Sequence, residues 1–359
     1  MSVDALFAPL SFKRGPAWKN RFALAPMTNL QSRPDGRLSD DEFNWLVMRA
    51  KGDFGLVMTC ATHVQAGGQG FPGQLGVFGD QHLEGLTRLA AAIRSHGAVS
   101  SVQLHHAGSR SPKELVGEPL SPSGDAETGA RAMTLAEVEA ARDAYIAAAV
   151  RCEKAGFDGV EMHGAHGYLI AEFLSPDANQ RSDRYGGSLE NRTRFLLEIL
   201  DGARAQCRPD FQIGVRLSPE RFGMRLGEVR ELVAQIMREG KVDYVDMSLW
   251  DSTKFPEEEE FKSRKLIDWF TDIPRHGVRL GVAGQLRSAA EAVAAVEAGA
   301  DFAFIGRAAI LNFDFPEKVR RDPGFAAPSL PISAAHLRQQ GLGPAFIDYM
   351  RTWGYFVAD

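Results

Sequence analysis

The chain has 359 residues, 44% of them hydrophobic and 24% charged, which is ordinary for a soluble globular protein and excludes disordered and fibrous classes. With 41 basic against 46 acidic side chains the formal charge is -5, so no cationic excess exists to neutralise a phosphate backbone, and nucleic acid is not an expected partner. No run approaches the ~18 consecutive apolar residues of a membrane span. The opening residues lack the basic and apolar regions of a signal peptide, and Cys60, Cys152 and Cys207 form no CxxC pair, so a cytoplasmic protein in a reducing compartment is expected.

Taken in chain order, apolar runs alternate with stretches of helical periodicity. A first strand is read at Phe22–Met27. Ser39, followed by Asp40, Asp41 and Glu42, caps a helix behind it. Strands follow at Gly55–Thr62 and Val99–His105, and Thr134 with Glu137 forms a capping box for an alanine-rich helix ending near Gly156. After a strand at Gly159–His163, Ser188 opens a helix with Phe195, Leu196, Ile199 and Leu200 on one face. The last strands are read at Gln212–Leu217, Tyr244–Leu249, Val278–Val282 and Phe302–Ile305, with a helix capped by Ser288 and closed by Gly299 between the final two. The segments near 108–131 and 168–187 show no periodicity and are read as long loops.

Eight strands alternating with helices predict an α/β fold, a single (β/α)8 TIM barrel over residues 1–359, with a C-terminal aromatic tail from about 325. The open doubly wound sheet is the runner-up, but Ala25-Pro26-Met27-Thr28 is nothing like the GxGxxG it would carry after its first strand. In a barrel, active sites lie at the C-terminal ends of the strands. Polar or glycine residues gather there: Thr28, Ala61, Gln103, His105, His106, His163, His166, Arg216, Gly284, Gly306 and Arg307. The glycines with Arg307 suit a phosphate held between the last two strands. Arg216, in the middle of a core strand, needs an anion or a polarised ring, or else an outward course to a helix. His163 and His166 suit either hydrogen-bonded core histidines or a metal site, although further ligands at convincing spacing are lacking. Glu161 falls on the same side of its strand as His163.

These residues belong to longer motifs. Lys19-Asn-Arg21 leads to Ala-Pro-Met27-Thr28; then come Gln103-Leu-His-His-Ala-Gly108, His163-Gly-Ala-His-Gly-Tyr168-Leu-Ile, Asp183-Arg-Tyr-Gly-Gly-Ser-Leu-Glu-Asn191-Arg192 and Phe304-Ile-Gly-Arg307. From about Leu6 to Ile310 the chain resembles the Old Yellow Enzyme family of FMN-dependent NAD(P)H oxidoreductases, or ene reductases. The resemblance implies FMN across the C-terminal mouth of the barrel. Pro26 and Thr28 would touch the isoalloxazine, and Ala61 and Gln103 its pyrimidine side. Arg216 would face N1 and O2, while Gly284, Gly306 and Arg307 would hold the phosphate. It also implies a reaction: NADPH or NADH gives hydride to FMN, and flavin N5 passes it to the β-carbon of an α,β-unsaturated carbonyl or nitro compound. His163 and His166 would bind the substrate oxygen, and Tyr168 would protonate the α-carbon. No metal is implied.

Two departures concern the pocket. Leu30 stands where some subgroups carry a tyrosine, and Asn312-Phe-Asp-Phe-Pro316 replaces the usual Asn-Pro. Alternatives are an FMN enzyme of this fold with a demethylase or isomerase role, a flavin-binding protein without catalysis, and a metal-dependent barrel lyase or hydrolase. The segment 346–356, with Tyr349, Trp353, Tyr355 and Phe356, fits either a subunit contact or closure over the barrel; aromatic enrichment at interfaces favours a homo-oligomer.

Overall fold

Eight parallel strands close a barrel in strict chain order, the first bonded to the last. The computed structural model describes residues 2–358. The strands are β1 (Phe22–Leu24), β2 (Leu56–His63), β3 (Val99–His105), β4 (Gly159–Gly164), β5 (Gln212–Leu217), β6 (Tyr244–Ser248), β7 (Arg279–Ala283) and β8 (Phe302–Ile305). Helices follow the strands and cover them, so β2 to β5 are buried along their whole length, and their sequences run apolar rather than alternating. β1 is shorter than its apolar run suggests. Ala25 N still bonds Ile305 O at 3.0 Å, but Pro26 has no N–H to continue the ladder, and the chain leaves the sheet there.

The expected helix starts are present. Ser39, Ser188 and Ser288 accept hydrogen bonds from Glu42 N, Asn191 N and Glu291 N, and Thr134 with Glu137 makes the reciprocal capping box. The segment after β4 is not simply a loop. It contains the helix Leu169–Leu174, whose six residues are all buried. A helix buried on every side has no polar face, and so shows no periodic stripe in its sequence. The segment after β3 holds a short helix, Lys113–Val116, and a ribbon pairing Leu120–Ser121 with Arg131–Ala132.

The N-terminal end of the barrel is plugged by an antiparallel turn in which Leu10 pairs with Trp18. Trp18 packs edge-on against Tyr244 and Phe302, and its indole N–H donates to Gln212 Oε1 at 3.1 Å. With that end filled by aromatic rings, the opposite end is left for chemistry.

The aromatic tail folds back on its own chain. Trp45, on the helix Asp40–Lys51, meets Phe346 at 4.9 Å between ring centroids, and Phe346 lies on the helix Pro344–Arg351. Beside it the fully buried Arg49 stacks on Trp45. It donates to Trp45 O at 3.0 Å, Gln340 O at 2.7 Å and Ala309 O at 2.9 Å, tying three parts of the chain together. Burial lowers its pKa well below the usual arginine value, with the Asp314 charge opposing. Arg49→Met is expected to leave these carbonyls unpaired and to destabilise the protein by about 3 kcal/mol or more. Denaturant unfolding measures the loss, and limited proteolysis should cut first near residues 338–351. Unchanged stability with an equally protected tail would contradict this role.

Candidate active site

At the C-terminal end of the barrel lies a cavity of about 650 Å³. Of the residues singled out in the sequence, Pro26, Thr28, Arg216, Gly284, Gly306 and Arg307 line it together. They come from β5 and from the ends of β1, β7 and β8, which the barrel closure places side by side. Ala61, Gln103, His163, His166 and Tyr168 stand beside this cavity rather than on its wall.

Their placement is local and specific. A bulge in β2 between Met58 and Ala61 shifts the register, so that Ala61 faces Gln103 of β3. Gln103 in turn faces Glu161 of β4, and its Nε2 donates to Glu161 Oε1 at 2.8 Å. After β4 the chain turns through two left-handed residues, His166 at φ +64° and Gly167 at φ +71°. A Cβ on Gly167 would come within 3.1 Å of the Phe222 ring, so both conformation and space call for glycine there. This turn brings His166 and Tyr168 back over His163.

The three histidines form a chain of hydrogen bonds. His105 Nδ1 and His163 Nδ1 are 3.1 Å apart, His163 Nε2 and His166 Nδ1 3.0 Å, and His166 Nε2 and Ser248 Oγ 2.9 Å. Ser248 also accepts from Arg216 Nη2 at 3.3 Å, and both Ser248 and Arg216 line the cavity. The Tyr168 ring packs edge-on against His105 at 4.4 Å and His163 at 5.2 Å, with the Arg110 guanidinium 5.1 Å from its centroid. Burial lowers the pKa of His105 and His163 well below the usual range, and burial with the Arg216 and Arg110 cations brings His166 to about 3. All three imidazoles are therefore neutral at physiological pH. Burial raises the Tyr168 phenol, partly offset by Arg110, so Tyr168 holds its proton.

The donor set fits FMN. Arg216, only 6% exposed, stands 3.1 Å from Asp246 through Nε, and among the described residues its one hydrogen bond goes to Ser248. The rest of a buried guanidinium facing a cavity suits an acceptor-rich ring edge. Across the cavity, Gly306 and Arg307 begin the helix Arg307–Leu311, and Arg307 with Arg287 supplies cations suited to a phosphate. Among the described residues, no cluster of three or more His, Cys, Asp or Glu side chains has the placement to hold a metal ion, and no helix is long and apolar enough to cross a membrane.

Residues 5–323 match the sequence pattern of the NADH:flavin oxidoreductase / NADH oxidase family. The chain belongs to this family. It is 38% identical to the probable NADH-dependent flavin oxidoreductase YqiG of Bacillus subtilis, over 88% of this chain and 87% of that one. It is 34% identical to an NADPH dehydrogenase of Bacillus pumilus, over 97% and 99% of the two chains. Among solved structures, the old yellow enzyme homologue from Zymomonas mobilis superposes with a TM-score of 0.79 at 27% identity, covering 96% of this chain and 99% of that one. The resemblance to the Old Yellow Enzyme family is thus established, and the protein is an FMN-dependent NAD(P)H oxidoreductase built on a (β/α)8 barrel.

Several residues of the site escape a reading of the sequence alone. Ser248 and Asp246 lie on β6, the one strand at whose end the sequence reading singles out no residue. A serine in Tyr-Val-Asp-Met-Ser-Leu is the available signal. His105 stands out in the sequence, though not as a partner of His163. Tyr349, Met350, Trp353 and Tyr355 of the tail also line the cavity, with the exposed Trp250 opposite. Of the two departures, Leu30 adopts a left-handed φ of +56°, and Asn29 beside it donates to the buried Glu42 at 3.1 Å.

The histidines also fix a pH dependence. His63, His82, His105, His106, His163 and His166 all have lowered pKa values, primarily through burial, to about 4 for His63, His82 and His106. Unfolded, they would take up protons near ~6.5. The stability they contribute is therefore present above that pH and is lost as pH falls from ~6.5 towards about 4. Buried Glu42, Glu161, Glu172 and Asp246 have raised values and act in the opposite sense, but the histidines outnumber them. The melting temperature should fall between neutral pH and ~5. A constant or rising value across that window would contradict this balance.

Proposed function

We propose that the protein reduces the carbon–carbon double bond of electron-poor alkenes, specifically α,β-unsaturated carbonyl or nitro compounds. The observation that carries this reading is the neutral chain His105–His163–His166–Ser248, ending on the cavity-lining Arg216 with Tyr168 alongside. A neutral imidazole has one N–H. At 3.0 Å, His163 Nε2 and His166 Nδ1 must therefore be one donor and one acceptor. A substrate oxygen entering between them can accept from both if His166 moves its proton from Nε2 to Nδ1. Ser248 then changes from acceptor to donor towards His166 Nε2. No net proton is taken up, so the pair can bind a carbonyl oxygen or its enolate across the physiological range.

The chemistry that FMN would supply when bound is hydride transfer, from NAD(P)H and on to the β-carbon. The protein's own part is to hold negative charge on the substrate oxygen with two N–H donors and to supply a proton to the α-carbon. Tyr168 suits the role of proton donor, because burial keeps its phenol protonated and an enolate or carbanion is a strong enough base to take that proton. The Arg216 cation lines the cavity and would stabilise negative charge gained by FMN bound there.

Tyr168→Phe should keep FMN bound and nicotinamide oxidation near normal while slowing alkene reduction by about 100-fold or more. Anaerobic stopped-flow of the two half-reactions makes the distinction, and loss of the nicotinamide step instead would refute the assigned role. His163→Ala should weaken binding of a phenol, whose phenolate resembles the enolate, by roughly 10-fold or more. Spectral titration with a para-substituted phenol reads this directly, and an unchanged affinity would remove His163 from the oxygen site.

A further inference from the structure

Behind Gln103 and Arg216 lie two carboxyls that the reaction does not use. Glu161 and Asp246 are both fully buried inside the barrel. Strand register places Gln103 opposite Glu161 and Arg216 opposite Asp246. Gln103 Nε2 is 2.8 Å from Glu161 Oε1, and Arg216 Nε is 3.1 Å from Asp246 Oδ2. The groups facing Glu161 are Gln103 on β3, Arg216 on β5, and Tyr244 and Asp246 on β6, with Ser101 of β3 beside Tyr244. Tyr244 sits against Gly214, the residue in register with Glu161; a Cβ there would lie 2.6 Å from its hydroxyl. Among the described residues, Glu161 Oε2, both Asp246 carboxylate oxygens and the hydroxyls of Tyr244 and Ser101 make no well-aligned hydrogen bond, although the Tyr244 hydroxyl lies close enough to favour the ionised form of Glu161.

Two carboxyls thus share one cation. Arg216 can neutralise one carboxylate, and a second ionised one in this interior would lack a counter-charge. The ion pair belongs to Asp246, so the proton falls to Glu161, whose unpartnered Oε2 is free to carry it. Burial, then the Asp246 charge, raises the Glu161 pKa in agreement with this division.

We propose that Glu161 and Asp246 hold a single proton between them, on Glu161, and that this proton leaves the Gln103 amide free to turn either end to the cofactor and sets the net charge the barrel presents to FMN. Protonated Glu161 can bond either end of the amide. Ionised Glu161 only accepts, so Gln103 must give it the NH2 group and turn its carbonyl oxygen to the cofactor. The net charge behind Arg216 then falls by one, opposing both anion binding and the gain of electrons in the cavity. Glu161 is a positioning residue in this scheme. The inference rests on the FMN assignment and is independent of the alkene.

Infrared spectra of the apoprotein test the proton itself. The wild-type-minus-Glu161→Gln difference spectrum should carry a protonated-carboxyl band at neutral pH that vanishes in alkaline buffer, over and above any band from buried Glu42 and Glu172. Fluorescence titration should show FMN binding to the wild type weakening by about tenfold over the same range, while Glu161→Gln changes by less than about twofold. The bound flavin's midpoint potential should likewise fall more steeply with pH in the wild type. Superimposable carboxyl bands and pH profiles in wild type and variant would overturn the proposal. Should Glu161→Gln fail to fold, Tyr244→Phe removes a hydroxyl that favours ionisation, and the alkaline-titrating band should move to higher pH; an unmoved band overturns the proposal. Because the infrared measurement uses the apoprotein, its outcome is separate from any failure of FMN to bind.

Discussion

A single buried cation organises the site. Arg216 is placed by β5 inside a closed barrel, where an uncompensated charge costs several kcal/mol. Asp246 on the next strand offsets its charge, Ser248 at the end of that strand accepts from it, and the cavity takes the rest of the guanidinium. The consequences spread outward. Ser248 joins Arg216 to the histidine chain, the Arg216 field helps to keep His163 and His166 neutral, and the charge already spent on Asp246 is withheld from Glu161. The proposed oxygen-binding histidines, the cavity-facing cation and the proposed proton on Glu161 are parts of one electrostatic arrangement.

The barrel makes that arrangement rigid. Closing eight strands in chain order brings the ends of β1, β7 and β8 together with β5 and β6 around one cavity, so Pro26 and Arg307, far apart in the chain, line it together. Aromatic plugging at the opposite end leaves a single open mouth, and the tail, fastened through Arg49, covers part of it. The left-handed turn at His166 and Gly167 folds Tyr168 over His163, as the proposed chemistry requires.

Much of this is legible in the sequence. All eight strands stand where apolar runs occur, and four helix starts follow from Ser39, Thr134, Ser188 and Ser288, since these depend on local chemistry alone. The residues expected to meet the cofactor are recognisable because each lies in or just past the end of a strand, and Pro26, Thr28, Gln103, Gly306 and Arg307 also lie in dense motifs. What escapes notice depends on neighbours rather than on local pattern. The helix Leu169–Leu174 has no polar face to reveal it. Ser248 and Asp246 matter only because register sets them beside Arg216 and His166. The tail's course over its own barrel follows from Arg49 reaching Gln340, a contact spanning 291 positions that no spacing rule anticipates.

The central claim is that hydride passes through this cavity from a nicotinamide to an alkene. The most direct measurement is the visible spectrum of the FMN-loaded protein, followed without oxygen during addition of NADPH or NADH and then of 2-cyclohexenone. The yellow colour should bleach with the nicotinamide and return with the enone in stoichiometric amount. A protein that bleaches and stays bleached in the presence of enones and nitroalkenes would contradict alkene reduction; one that cannot be loaded with FMN would contradict the cofactor site itself.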